Sequence, residues 1–449
     1  MATTYLSKTL GTPTDNKKWT FSAWVKKAHI GSDINTLFGA GGSSTNFASI
    51  WVNYNNGQIQ FQSQTSGGVT GGSVRLLNLL RDIASWYHIV VSFDSANSTA
   101  ADRVKIYING IRGTNFDGTP DYPNLNIASF INSNIEHTIG KDSYRSAGYY
   151  DGSMANVEFV DGQAYDPTYF GSFNSATGIW TPSGATAISN YGTNGFKLAM
   201  DTTSPGADTS GKGNTFTASG SPTLLQGNPQ NNWCTLNPLA YFFGTAHTFS
   251  NGNTTVASSS VSGSINPSSA TLGITTGKWY WEGKLVTAPG SNYALIGIMA
   301  QAPAAAGGQN FLGGVGDQYG YAGWNGTVYN SAGSTGNTSG GATYGVGDIL
   351  SIAVDADNNR LYYYKNGTIQ NSGTGIVIPA AADTPFGAWI PAVGDWDTPS
   401  HVWSCNFGEG FFGTTTAGTN ADGNGQGLFA YAVPSGYYAL NTKNLEAYG

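Results

Sequence analysis

What this sequence has least of is charge. Charged residues make up 10% of its 449 positions, against roughly 25% in an average soluble domain. Lys and Arg number 19 against 26 Asp and Glu, a net charge of −7. So thin a cationic complement argues against nucleic acid as a partner, because affinity for phosphate backbones comes from Lys and Arg. Cysteine occurs only at Cys234 and Cys405; a disulfide scaffold is excluded, and the pair reads as two free thiols. Long apolar runs are missing too. The longest, around 294–306, is broken by Gly297, Gln301 and Pro303, short of the roughly 18 to 20 residues that a spanning helix needs. Membrane insertion is therefore not expected. Met1 to Lys8 contains no apolar signal core, so synthesis in the cytoplasm without signal-driven export is expected. No heptads occur, which leaves no coiled coil to fix an oligomer.

What is present is glycine and aromatic side chains. Gly fills 63 positions, aromatics 13% and hydrophobic residues 39%. That is too much core-forming material for disorder, and the glycines follow no three-residue period, which excludes collagen. Short strands joined by many turns fit better. From Trp86 to Asp94 the chain alternates, with Tyr87, Ile89, Val91 and Phe93 on one face and His88 on the other. Val104, Ile106 and Ile108 then alternate with Lys105 and Tyr107, and Asn109-Gly110 closes the strand with a type I′ hairpin signal. The same grammar returns at Leu350, Ile352 and Val354, at Arg360 to Lys365, and at Asn366-Gly367. Such alternation predicts antiparallel sheets wet on one side. The fold class is all-β: two antiparallel jelly-roll-type β-sandwiches joined by a long irregular connector. The boundaries are 1–170 for the first sandwich, 171–238 for a Gly/Ser/Thr/Asn-rich connector anchored by Trp180, Phe196 and Trp233, 239–410 for the second sandwich, and 411–449 for a Gly-rich tail.

Trp19 to Val25, Trp86 to Ile89, Val104 to Gly110 and Tyr150 to Val157 resemble the laminin-G/concanavalin-A-like family, a jelly-roll sandwich, over about residues 1–170. Gly277 to Glu282, Ile296 to Ile298, Tyr319 to Tyr321, Gly347 to Asp355, Leu361 to Gly367 and Asn406 to Gly408 resemble a SPRY domain. Asp161 to Pro167, Tyr191 to Phe196, Asn231 to Pro238 and Pro434 to Thr442 are similar to linker motifs in structural proteins of marine tailed phages, cyanophage-like. The combination implies a virion surface protein, made in the host cytoplasm. Its implied partners are other virion proteins and a host surface glycan or receptor, with a homo-oligomer expected by analogy to other appendages. No separate anchor is read ahead of the first sandwich, which weighs against a fibre rooted by its N-terminus.

Catalytic chemistry is not expected. Glu158-Phe159-Val160-Asp161 holds the nearest carboxylate pair to a glycosidase dyad, but i,i+3 spacing places the two on opposite faces of a strand. They read as a solvated Glu and a turn Asp. His29, His88, His137, His247 and His401 show no ligand spacing, and no Gly-rich loop carries the Lys-Ser/Thr of a phosphate cradle. Neither metal nor cofactor is expected, calcium being the minor alternative, since Asp94, Asp102 and Asp355 to Asn359 offer loop oxygens. Binding is the stronger reading. The SPRY resemblance implies recognition by loops at one end of the sandwich, with Tyr319, Tyr321, Trp324 and Asn325 in one loop and Asp395, Trp396 and Asp397 in another. Aromatic rings flanked by Asn and Asp suit sugars: the ring stacks on C–H faces while amides and carboxylates take hydroxyls. Trp324 and Trp396 stand evenly between such a site and a packed core, whereas Trp279, Trp281 and Tyr363 read as core. Trp51 and Tyr54 form a second candidate patch in the first sandwich. The leading expectation is host adhesion; the alternative is a purely structural virion component, such as a capsid decoration, head fibre or tail-assembly subunit.

Overall fold

Turn residues with positive φ close the hairpins that alternation predicts. Asn109 and Gly110 take φ of 48° and 80°, and Asn366 and Gly367 take 46° and 78°. Two such residues in succession make the type I′ turn whose twist matches the flanking strands. Across these turns Ile108 pairs with Ile111 and Lys365 with Thr368. The computed structural model describes residues 3–30, 33–54 (backbone only for 53 and 54), 57–65, 71–182, 188–201, 204–240, 247–258, 267–290, 292–303, 311–331, 333, 337–396 and 400–449. The chain divides into two units, Met1–Leu224 and Leu225–Gly449.

The first unit is an antiparallel sandwich. One sheet runs in the order Thr217–Ser219, Tyr5–Thr9, Glu136–Ile139, Asn35–Ser43, Asn46–Tyr54, Gln58–Gln64, Ser73–Leu79. The other runs Phe196–Leu198, Gly152–Asp161, Lys18–Lys27, Tyr87–Asp94, Val104–Ile108, Ile111–Arg112. Alternation aims Phe21, Ile89, Val91, Phe93, Val104 and Ile106 between the sheets, where they are buried. There Trp19 stacks on Phe93 with ring centroids 5.1 Å apart.

The second unit repeats the plan. Its larger sheet runs Thr248–Ser250, Thr255–Ala257, Val402–Asn406, Lys278–Thr287, Ile349–Asp355, Arg360–Lys365, Thr368–Ile369, with Ile376–Val377 added on Arg360–Lys365. Tyr438–Ala439 lies parallel beside Lys278–Thr287. The smaller sheet runs Ser268–Ser269, Ile390–Asp395, Ala294–Met299, Gln318–Ala322, Thr327–Tyr329, Thr338–Ser339. Trp279, Trp281, Ile296, Ile298, Leu350, Ile352, Tyr363 and both cysteines fill the space between, and the cysteines are free thiols. Among the described residues one α-helix occurs, Thr442–Tyr448, capped by the Asn441 side chain accepting from Asn444 N–H.

Each sandwich has a sheet that carries a second apolar layer on its outer side. In the first unit Val90, Tyr107, Val160, Phe170 and Tyr191 form a second apolar layer, joined by Trp24, Ala155 and Trp180. In the second, Trp233, Tyr280, Ala353, Phe429 and Ala439 do the same, with Tyr362 and Tyr364 packed on them. The covering residues come from segments flanking the sandwich strands. This corrects two boundaries. The 171–238 connector is divided: its first part pairs into both sheets of unit 1, and Trp233 and Leu236 belong to unit 2. The 411–449 tail is no appendage either, since it supplies Phe429, Ala439 and the terminal helix to unit 2. Gly-rich composition conceals this, because glycine is what close packing under a ring requires. A Cβ at Gly408 would lie 2.0 Å from the Trp233 ring.

Candidate functional site

Strand parity decides which aromatic side chains can meet a ligand. In Gln318–Ala322, Tyr319 and Tyr321 share one face, and that face looks inward: both are fully buried in the main core. Tyr321 donates its hydroxyl to the Ala342 carbonyl, and burial pushes that hydroxyl up to about 12. Both were expected in a binding loop, and both are core. Asp395 is buried as well, at 2% exposure. Its carboxylate accepts from the Ser258 hydroxyl and lies 3.5 Å from His401 Nδ1. Ser258 Oγ in turn accepts from the His401 backbone N–H at 2.9 Å. The hydroxyl is thus tied to the carboxylate, not to the imidazole as a Ser–His–Asp relay requires. In unit 1, Trp51 is 4% exposed and stacks on Phe47, which packs against Tyr144, so it forms no open patch. The side chain of Tyr54, and Asp397 as a whole, lie outside the described residues.

The remaining residues do come together. Ile296 and Ile298 point into the core, so their neighbours Leu295 and Met299 point out; with Phe311, Leu312, Ala322 and Ala392 they floor an apolar cluster on the outer face of the smaller sheet. Trp324, Tyr329 and Trp396 pack on it while keeping part of their surface exposed. Trp396 stacks on Phe311 with centroids 3.7 Å apart and meets Trp324 edge-on at 5.7 Å. Tyr329 sits 5.4 Å from Trp324 and 5.2 Å from Trp396, and Tyr293 packs edge-on against Trp324 at 5.2 Å. Asn325 is exposed at the rim. Its Nδ2 donates to the Tyr329 hydroxyl at 2.8 Å, and its Oδ1 accepts from Thr327 N–H at 3.0 Å. The nest therefore offers held ring faces and an oriented amide, the two components a sugar-binding surface combines.

Sequence reasoning missed Tyr293, Phe311 and Tyr329. For two of them parity was the available signal: Val328 is core, so Tyr329 faces outward, and Tyr293 precedes inward-pointing Ala294.

Glu158 is not a solvated side chain, because it and Asp161 are both buried. Glu158 accepts from the Tyr191 hydroxyl at 2.5 Å and pairs with Lys197 at 3.4 Å. Asp161 accepts from the backbone N–H of Thr14, Asp15 and Asn194 and from Asn132 Nδ2. The loop oxygens considered for calcium are engaged too: Asp94 pairs with Lys18, Asp102 with Arg112 and Asp355 with Lys278. Among the described residues no group of three or more His, Cys, Asp or Glu side chains is placed to hold a metal. His88 is buried on the outer face of its sheet, sandwiched by Trp24 and Trp180 at 4.7 and 5.9 Å. Trp180 Nε1–H donates to His88 Nδ1 at 3.0 Å. The ring proton therefore sits on Nε2, which donates to Ser22 Oγ at 2.8 Å.

Residues 2–164 match the family described as the concanavalin A-like lectin/glucanases superfamily, and residues 278–394 match the SPRY domain family. No curated protein matches the chain. Among solved structures, the SPRY domain of human HERC1 is 16% identical, aligned over 38% of this chain and 96% of that one, with a TM-score of 0.28. A putative carbohydrate binding protein from Bacteroides ovatus is 16% identical over 49% and 58%, with a TM-score of 0.30. Domain 4 of AbnA, an extracellular arabinanase of Geobacillus stearothermophilus in complex with arabinotriose, is 18% identical over 34% and 63%, with a TM-score of 0.25. The chain thus joins a laminin-G-like (concanavalin A-like) domain to a SPRY domain, a pairing that points to a binding function.

Proposed function

We propose that this protein is a surface component of a tailed-phage virion, a fibre or appendage subunit, that binds a host cell-surface glycan through the aromatic nest of its SPRY unit. The observation that carries the binding half is the part-exposed cluster of Trp324, Tyr329 and Trp396 on the outer face of a sheet whose other aromatics are buried. Tyr and Trp with exposed faces are where binding energy concentrates. The virion half is supported by the resemblance of the 161–167, 191–196, 231–238 and 434–442 motifs to those of phage structural proteins.

The test is binding of fluorescently labelled full-length protein to candidate host cells, with and without periodate oxidation of surface sugars. Saturable binding is expected for the wild type. It should fall at least about tenfold for Trp324→Ala or Trp396→Ala, the loss typical of a binding hot spot, and should disappear after periodate. Binding that survives periodate excludes a glycan. Binding to none of the cells a parent virus infects favours the purely structural virion component.

A further inference from the structure

We propose that Ser258 is a positioning residue of the nest: it clamps both ends of the segment that carries Trp396 and so fixes the ring that a ligand meets. This rests on reading the nest as the glycan site and names what holds that site in place. Contact between ring faces is a sum of many weak attractions, whereas hydrogen bonds fix both distance and angle. Ser258 follows Thr255–Ala257, a strand of the larger sheet. Its hydroxyl nevertheless donates to the carboxylate of Asp395, the last residue of Ile390–Asp395 in the smaller sheet. The same oxygen accepts from His401 N–H at 2.9 Å. Ser258 N–H donates to the His401 carbonyl at 2.9 Å, and the Ser258 carbonyl accepts from the Ser400 hydroxyl at 2.6 Å.

The chain thus leaves Ser258 at Asp395, presents Trp396, and is back at Ser258 by Ser400 and His401. Closing a segment on one residue removes much of its freedom before a ligand arrives, which is the advantage of a preorganised site. The Trp396 end is also tied into the nest, since Trp396 N–H donates to the Tyr293 carbonyl at 3.0 Å and the Tyr293 ring packs on Trp324. Packing alone does not account for the clamp. Ser258, Asp395 and His401 are 9%, 2% and 1% exposed, and burying a hydroxyl and a carboxylate carries a desolvation cost that apolar side chains avoid. A polar network satisfied at that depth favours one geometry over its neighbours. Here that geometry is the foot of Trp396, whose ring stacks on Phe311.

Hydroxyl-radical footprinting of the full-length protein, read tryptophan by tryptophan by mass spectrometry, tests this without a ligand. No Lys or Arg occurs between Lys284 and Arg360 or between Lys365 and Lys443. Trypsin therefore delivers Trp324 on one peptide and Trp389, Trp396 and Trp403 on another, where fragmentation separates them. In Ser258→Ala, Trp396 should oxidise about fivefold faster, the scale of one net hydrogen bond, while Trp324 and the buried Trp279 and Trp281 keep their wild-type rates. Ser258→Thr, which keeps the hydroxyl, should restore the wild-type rate at Trp396. On cells, Ser258→Ala should weaken binding by a similar factor and should add no further loss in a Trp396→Ala background. An unchanged Trp396 rate with Trp279 and Trp281 still protected overturns the inference, as does an equal rise at Trp324. If Ser258→Ala exposes the core tryptophans, Ser400→Ala decides in its place, because it removes only the Ser400 hydroxyl from the clamp: a smaller rise confined to Trp396 is expected, and none overturns the inference. Faster oxidation of Trp396 in a protein that binds no cells upholds the clamp and removes only the glycan reading.

Discussion

His88 shows what one buried side chain costs as acid is added. Trp180 donates to its Nδ1, so a second ring proton would meet an N–H already aimed there. Burial holds the imidazole down to about 3. His137, whose Nε2 accepts from Asn132 N–H at 3.0 Å, is held down to about 4 by the same cause. Unfolded, both return to the ordinary 6.5, so below that value the unfolded chain binds more protons than the folded one. Their contribution is present above about 6.5 and is lost as pH falls toward 4 and then 3. Urea unfolding at neutral pH and at successively lower pH should show unit 1 weakening over this window, and His88→Gln should flatten the slope. An unchanged slope in that variant would refute the assignment. Glu282 makes the complementary case. Its carboxylate is fully buried and accepts from Ala430 N–H, Tyr431 N–H, the Tyr280 hydroxyl and Asn406 Nδ2. Glu282→Gln keeps the shape but turns an NH2 toward these donors. A loss of roughly 1–3 kcal/mol is expected, measured by urea unfolding and accompanied by faster proteolysis after residue 410.

At the scale of elements, each sandwich is finished by its flanking chain. In unit 1 the Ser172–Phe173 and Trp180–Thr181 hairpin lays Trp180 over His88, and Gly110 admits that ring: its Cβ would lie 2.5 Å away, at a φ of +80°. In unit 2, Trp233 pairs with Asn441, Asn232 N–H donates to Thr442 Oγ1, and Asp422 gathers Ala439 N–H and Asn444 Nδ2. Trp180→Ala should therefore cost about 3–5 kcal/mol, the range for emptying a buried aromatic site, and should raise the His88 pKa by removing its donor. Deleting residues 430–449 should leave unit 2 unfolded, with its Tyr280 and Trp233 layer stripped; far-UV and near-UV dichroism would show it. These flanks explain what the sequence concealed. Period-two alternation made the sandwich strands and both Asn-Gly turns legible, and with them the two cores. The covering layer carries no period, because its residues reach the sheet one at a time from irregular chain. The nest was half legible: Trp324, Asn325 and Trp396 announce themselves by polar neighbours. Tyr319 and Tyr321 misled because a Tyr-Gly-Tyr run looks like a loop, although its two rings share an inward face.

For the molecule as a whole, the two main cores draw on separate parts of the chain, the first ending at Phe216 and the second beginning at Cys234. Thermal unfolding of the intact protein should accordingly resolve two transitions, one lowered by Trp180→Ala and the other by Glu282→Gln. A single transition shifted by both would refute separate cooperative units. The uneven placement of lysine has a practical consequence. An amine-reactive dye or an amine-coupled sensor surface can attach to unit 1, to the larger sheet of unit 2 or to Lys443 on the terminal helix, but at no strand of the smaller sheet. Labelled and immobilised protein thus keeps its nest chemically untouched, and trypsin leaves the stretches from Lys284 to Arg360 and from Lys365 to Lys443 whole. Protection footprinting of the nest will accordingly be read with reagents that modify tryptophan and carboxylate side chains.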